Sequence, residues 1–147
     1  ETPTITKEHS QTISDIDWSL DNKIVTSSHD RSVVVWRFNA ERWEKMLVNI
    51  DIKLSILVAK WAPSCRKFAV GSTCNTLAIS YFNKAKIVGL SPCNTLTKSP
   101  IISLAFHPSS NLLAIGSADY SVRIITSSFK NSKDELIIQS KVEDYQY

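Results

Sequence analysis

Glycine is scarce in this chain: Gly71, Gly89 and Gly116 are the only ones in 147 residues. A phosphate-cradling loop needs several glycines close together so that backbone N–H groups can wrap the anion, and these three stand too far apart to build one. Two of them fall inside strand-like runs, where close backbone packing accounts for them. Cysteine is nearly as rare. Cys65, Cys74 and Cys93 are odd in number and widely spaced, which fits reduced thiols and not the pairs, two to four residues apart, of a four-ligand zinc site. No metal and no cofactor are expected. No apolar run approaches the roughly 20 residues of a spanning helix. The stretch ETPTITKEHS has neither the basic start nor the apolar core of a signal peptide. An intracellular protein without a membrane partner is therefore expected. With 43% apolar and 21% charged residues the composition suggests neither disorder nor a membrane protein. The net charge of +3 comes without clusters of Lys and Arg interleaved with aromatics, so nucleic acid is not an expected partner.

What the chain has in quantity is repetition. KIVTSSHDRSVVVWRF from Lys23, KFAVGSTCNTLAISYF from Lys67 and LLAIGSADYSVRIITS from Leu112 are versions of one text. Trp18, Trp61 and Phe106 share a column, as do Ser28, Ser72 and Ser117, and Val33, Leu77 and Val122. Ser28 to Ser72 is 44 residues and Ser72 to Ser117 is 45. In each unit a first strand ends at the aromatic (ISDIDW, ILVAKW, ISLAF), and a turn rich in Pro, Ser or Asn follows. The second strand is a nearly continuous apolar run, as expected of a strand covered on both faces. A tight turn (HDRS, TCNT, ADYS) leads to the third strand, and a less regular fourth reads WEKMLVNI or AKIVGL. Helical spacing is hard to find anywhere. This is an all-β chain, and its period is that of WD40-type β-propeller blades. The units run from about 9 to 50, 51 to 91 and 96 to 130, with 131–147 as a terminal extension; each is expected to be a four-stranded antiparallel blade with Trp18, Trp61 and Phe106 buried at equivalent places.

The recurring polar residues read as structural. Asp30 and Asp119 hold the same place in the turn before the third strand. In the WD-repeat pattern such an Asp resembles a member of a hydrogen-bonded set with a His before the first strand, a Ser or Thr in the second and a Trp in the third, and the first unit has the candidates His9, Thr26 or Ser28, Asp30 and Trp36. The second unit, with Cys74 and Ser80 in place of Asp and Trp, is expected to do without it. His, Ser and Asp here do not read as a hydrolase triad, because nothing near them supplies a nucleophile turn or an oxyanion hole. No catalytic residue is assigned and no enzyme is expected.

The run LVNIDIKLSILVAKWAPSCRKFAVGS followed by AISYF, flanked by ISDIDWSLDNKIVTSSHDRSVVVW and SPIISLAFHPSSNLLAIGSADYSVRI, resembles the subunit-1 family of the actin-related protein 2/3 complex, the assembly that nucleates branched actin filaments. The resemblance covers roughly residues 9 to 130. It implies a non-catalytic scaffold that docks on other subunits of that complex at the actin cytoskeleton, with the actin filament and the acidic tails of activators as partners. Family members are complete seven-bladed propellers; this chain carries about three blades, shows no counterpart of the family's long late insertion, and its last stretch, NSKDELIIQSKVEDYQY, carries no recognisable family motif. A free-standing WD-repeat adaptor, such as a substrate receptor in protein turnover, is the alternative.

Two surface expectations follow. Three blades leave two open sides, so the chain is expected to self-associate or to depend on a partner. The loops joining first to second and third to fourth strands lie on one rim, which would carry Arg37, Arg42, Lys45, Arg66, Lys67, Lys84, Lys86, Lys130 and Lys133 against Asp21, Glu41, Glu44, Asp134 and Glu135. That rim is the expected partner-binding surface for an acidic segment, with Arg66 and Lys67 foremost.

Overall fold

Alternating and doubly apolar runs of six to eight residues, each closed by a tight turn, build only strands here. The computed structural model describes residues 6–83, 86–93 and 97–127. The first sheet comprises β1 (Ile13–Trp18), β2 (Lys23–Ser28), β3 (Val33–Asn39) and β4 (Arg42–Val48). The second comprises β5 (Ile56–Trp61), β6 (Lys67–Ser72), β7 (Leu77–Asn83) and β8 (Lys86–Cys93). In the third are β9 (Ile101–Phe106), β10 (Leu112–Ser117) and β11 (Val122–Thr126). Each sheet is an up-and-down antiparallel meander in chain order. The place of a fourth strand in the third blade falls on residues outside those described, as does the extension 131–147.

The turns explain how so few glycines suffice. In the turn between first and second strands, Ser19, Ala62 and His107 donate their N–H groups to the carbonyls of Lys23, Lys67 and Leu112 at 2.7, 2.9 and 3.0 Å. Each of these loops contains one left-handed residue, Asn22, Cys65 or Ser110, with φ of 62, 58 and 62°. The turn before the third strand repeats the device with Arg31, Asn75 and Tyr120, closed by bonds from Ser28, Ser72 and Ser117 to Ser32, Thr76 and Ser121. Such backbone costs an L-residue about 1 kcal/mol or more, and the closing bonds impose it regardless of side chain.

Side chains alternate across each strand, so every sheet has a leading face toward the preceding blade and a trailing face toward the next. On the first sheet the register pairs Trp18 with Ile24, Ile24 with Trp36, and Phe38 with Trp43, all on the leading face. Val25, Val33 and Val35 occupy the trailing face and pack against Phe68, Val70 and Ala78 of the second sheet. Ala69, Leu77 and Ile79 on the second sheet's trailing face meet Leu104, Leu113 and Ile115 of the third. The core is thus two slabs between three stacked sheets, with the first strands β1, β5 and β9 side by side as the inner strands of a propeller. Gly71 lies at the second junction, where an added Cβ would come within 2.9 Å of Val58 Cγ1 and would also strike Ile101.

One packing expectation fails. Trp61 is buried and Phe106 half-buried, but Trp18 is exposed. All three lie on leading faces; those of the second and third sheets are covered by the blade before, and no described residue covers the first in that way. Trp18 instead stacks edge-on to Trp43, 6.1 Å between ring centroids, and Trp43 lies 5.3 Å from Phe38.

Candidate functional site

The first blade's polar set is built from three elements. The segment before β1 brings His9 over β2, where its Nε2 lies 2.8 Å from Thr26 Oγ1; Trp36 Nε1 on β3 donates to the same oxygen at 3.0 Å. On the other side His9 Nδ1 lies 2.6 Å from Ser32 Oγ, which donates to Asp30 Oδ1 at 2.5 Å. One proton arrangement satisfies every member: Trp36 donates to Thr26, Thr26 to His9 Nε2, His9 Nδ1–H to Ser32, and Ser32 to Asp30. Thr26, not Ser28, is the bridge. Ser28 Oγ instead donates to the Thr12 carbonyl at 3.0 Å and accepts from Asp30 N–H at 3.2 Å. Burial pushes the Asp30 carboxyl up, but it is outweighed by the Ser32 hydroxyl and by N–H groups of Ser10 and Ser32, which hold it well below the usual carboxylate range.

Asp119 does not join that set. It holds its own turn, accepting from Ser121 N–H at 3.1 Å and from the Ser121 hydroxyl, with Arg123 Nη1 at 3.1 Å. The Ser121 hydroxyl is the main cause of its low carboxyl pKa. The second blade keeps more of this arrangement than its sequence suggests. Cys74 Sγ occupies the carboxylate's place, 3.0 Å from Ser72 Oγ and 3.2 Å from Thr76 Oγ1. Burial raises the thiol, and these hydroxyls together with backbone N–H groups bring it below its ordinary value. Where Trp36 stands in the first blade, Ser80 is buried with its hydroxyl unpartnered among the described residues.

Two inter-blade features carry no obvious signature in sequence. Asp15 and Asp17 on β1 reach across to β5, where Ala59 N–H donates to Asp15 at 3.1 Å and Trp61 N–H to Asp17 at 2.6 Å; Lys60 adds an ion pair to Asp15 at 3.0 Å. Lys23 and Lys67 open the second strands of the first two blades, and both are buried. Lys23 Nζ lies 5.5 Å from the centre of the Trp61 ring and 5.0 Å from that of Phe82; Lys67 Nζ lies 5.9 Å from that of Phe106. The recurrence of Lys at one column of two units was the available signal. Leu112 takes that column in the third.

Along the rim of the first-to-second and third-to-fourth loops, the structure separates cations that the sequence had grouped. Lys67 is withdrawn from the rim: its ammonium is buried against the Ser127 carbonyl and hydroxyl. Lys45 is mid-strand on β4, opposite Trp36, and its Nζ pairs with Glu8 at 2.6 Å. Arg42 is at the rim and lies 3.5 Å from Glu44. Arg37 and the exposed Arg66 remain there with no ion-pair partner among the described residues. Lys86 begins β8, and Lys84, Lys130 and Lys133 lie outside the described residues, as do Asp134 and Glu135. The opposite rim carries Arg31, Lys53 and Lys98, so the described residues give neither rim a clear excess of cations. The first rim holds a groove of about 580 Å³ with Trp18, Phe38, Trp43 and Phe82 in its wall and Lys23, Arg37 and Asp21 among its polar groups. Lys23 is ion-paired to Asp21 there.

Comparison with known proteins agrees with this architecture. The family model for the WD domain, G-beta repeat, matches residues 2–37, and that for the Anaphase-promoting complex subunit 4 WD40 domain matches residues 59–144. The chain belongs to the WD40-repeat family. Within that family it is similar to subunit 1 of the actin-related protein 2/3 complex. It is 36% identical to subunit 1A of Arabidopsis thaliana over 128 residues, 86% of this chain and 34% of that one. With subunit 1A-B of Xenopus laevis it shares 34% over 126 residues, 84% of this chain and 34% of the other. With subunit 1 of Saccharomyces cerevisiae the figures are 32% over 126 residues, 84% and 33%. The chain spans about a third of the length of the curated relatives it matches.

Proposed function

We propose that the chain is a non-catalytic interaction subunit: a set of propeller blades that docks on other subunits of the actin-related protein 2/3 complex in the cytoplasm and contributes to nucleation of branched actin filaments. The observation that carries this reading is the similarity to subunit 1 in plant, frog and yeast over 84 to 86% of the chain. The polar set of the first blade acts as internal bracing, which suits a scaffold.

The surface that receives an acidic activator tail or a neighbouring subunit is the rim around the aromatic groove, with Arg37 and Arg66 as cations that have no ion-pair partner among the described residues and the aromatic wall for apolar side chains. Charge there steers and holds an acidic segment, and the affinity weakens as salt rises. A tagged chain should bring down actin-related proteins from cell extract; capture of ubiquitin-ligase subunits in their place would favour the adaptor reading. Binding of an acidic activator peptide, followed by fluorescence anisotropy, should weaken about tenfold in Arg37→Glu/Arg66→Glu, about 1.4 kcal/mol. Unchanged affinity in the folded variant removes the rim from the proposal.

A further inference from the structure

We draw no further inference here: the strongest candidate, the aromatic groove of Trp18, Phe38, Trp43 and Phe82 at the rim of the first blade, opens onto the leading face of the first sheet, and nothing in the structure shows what covers that face.

Discussion

Lys67 gives the most quantitative test of the packing. It is 4% exposed, its Nζ sits between the Ser127 carbonyl and the Phe106 ring, and burial lowers its pKa from the usual 10.5 to about 8. Below pH 8 the amine is protonated in both folded and unfolded chains, and the folded state bears the cost of a desolvated ammonium. Between pH 8 and 10.5 the unfolded chain still holds a proton that the folded chain has released, so raising the pH draws the equilibrium toward the folded state. Above 10.5 both forms are neutral and the gain is complete. At 1.36 kcal/mol per pH unit the full gain is about 3 kcal/mol. Urea unfolding of the wild-type chain and of Lys67→Met should be compared between pH 7 and 10.5. Leu112 in the equivalent place of the third blade shows that hydrocarbon fits this column. Tyrosine and cysteine titrations are common to both proteins and cancel in the difference. The wild-type chain should gain up to about 3 kcal/mol on the variant across the window, most of it between pH 8 and 10. Parallel stability curves would show that the ammonium is not desolvated and that the second junction is wetter than described.

Three further outcomes follow from single side chains. Thr26→Val keeps the shape of β2 but strips His9 Nε2 and Trp36 Nε1 of their shared partner; urea melts should show a loss of about 2 to 4 kcal/mol, and a loss below 0.5 kcal/mol would remove the set as bracing. Ser80→Ala deletes a buried hydroxyl that has no partner among the described residues, so the chain should gain about 1 kcal/mol in the same assay; a loss would reveal a partner. The β3–β4 hairpin turns through Ala40 and Glu41 with φ of 44 and 76°, a conformation that Asn-Gly adopts readily, so Ala40→Asn/Glu41→Gly should raise the melting temperature by several degrees, about 1 kcal/mol.

The fold was legible because its rule is repetition. A 44 or 45 residue period, doubly apolar second strands and two turn signals per unit give the meanders almost strand for strand. Some left-handed residues were hidden for a physical reason: sequence marks such positions by glycine or asparagine, as at Asn22, but Cys65 and Ser110 are held in that region by turn-closing backbone bonds that any residue can make. The state of Trp18 could not be read from its column either. Equivalent residues in a repeat share direction, but burial depends on whether a blade stands in front.

The rim was the least legible part, since a cation's location in sequence says which loop it is near but not which way it points. Lys67 stands next to Arg66, yet strand alternation turns it inward to Phe106 and Ser127 while Arg66 faces solvent. Lys45 is three residues beyond Arg42, and that distance moves it down the strand to Glu8. Polar partners then remove more of the free charge, as Glu44 does for Arg42 and Asp21 for Lys23. Charge counted along loops therefore overstates a binding rim wherever the second strand begins with a lysine, because that position belongs to the junction with the next blade. The same reasoning separates the two surfaces functionally: reversing Arg37 and Arg66 should alter capture of an acidic partner and leave the blade junctions intact, whereas replacing Lys67 should alter stability and leave capture unchanged.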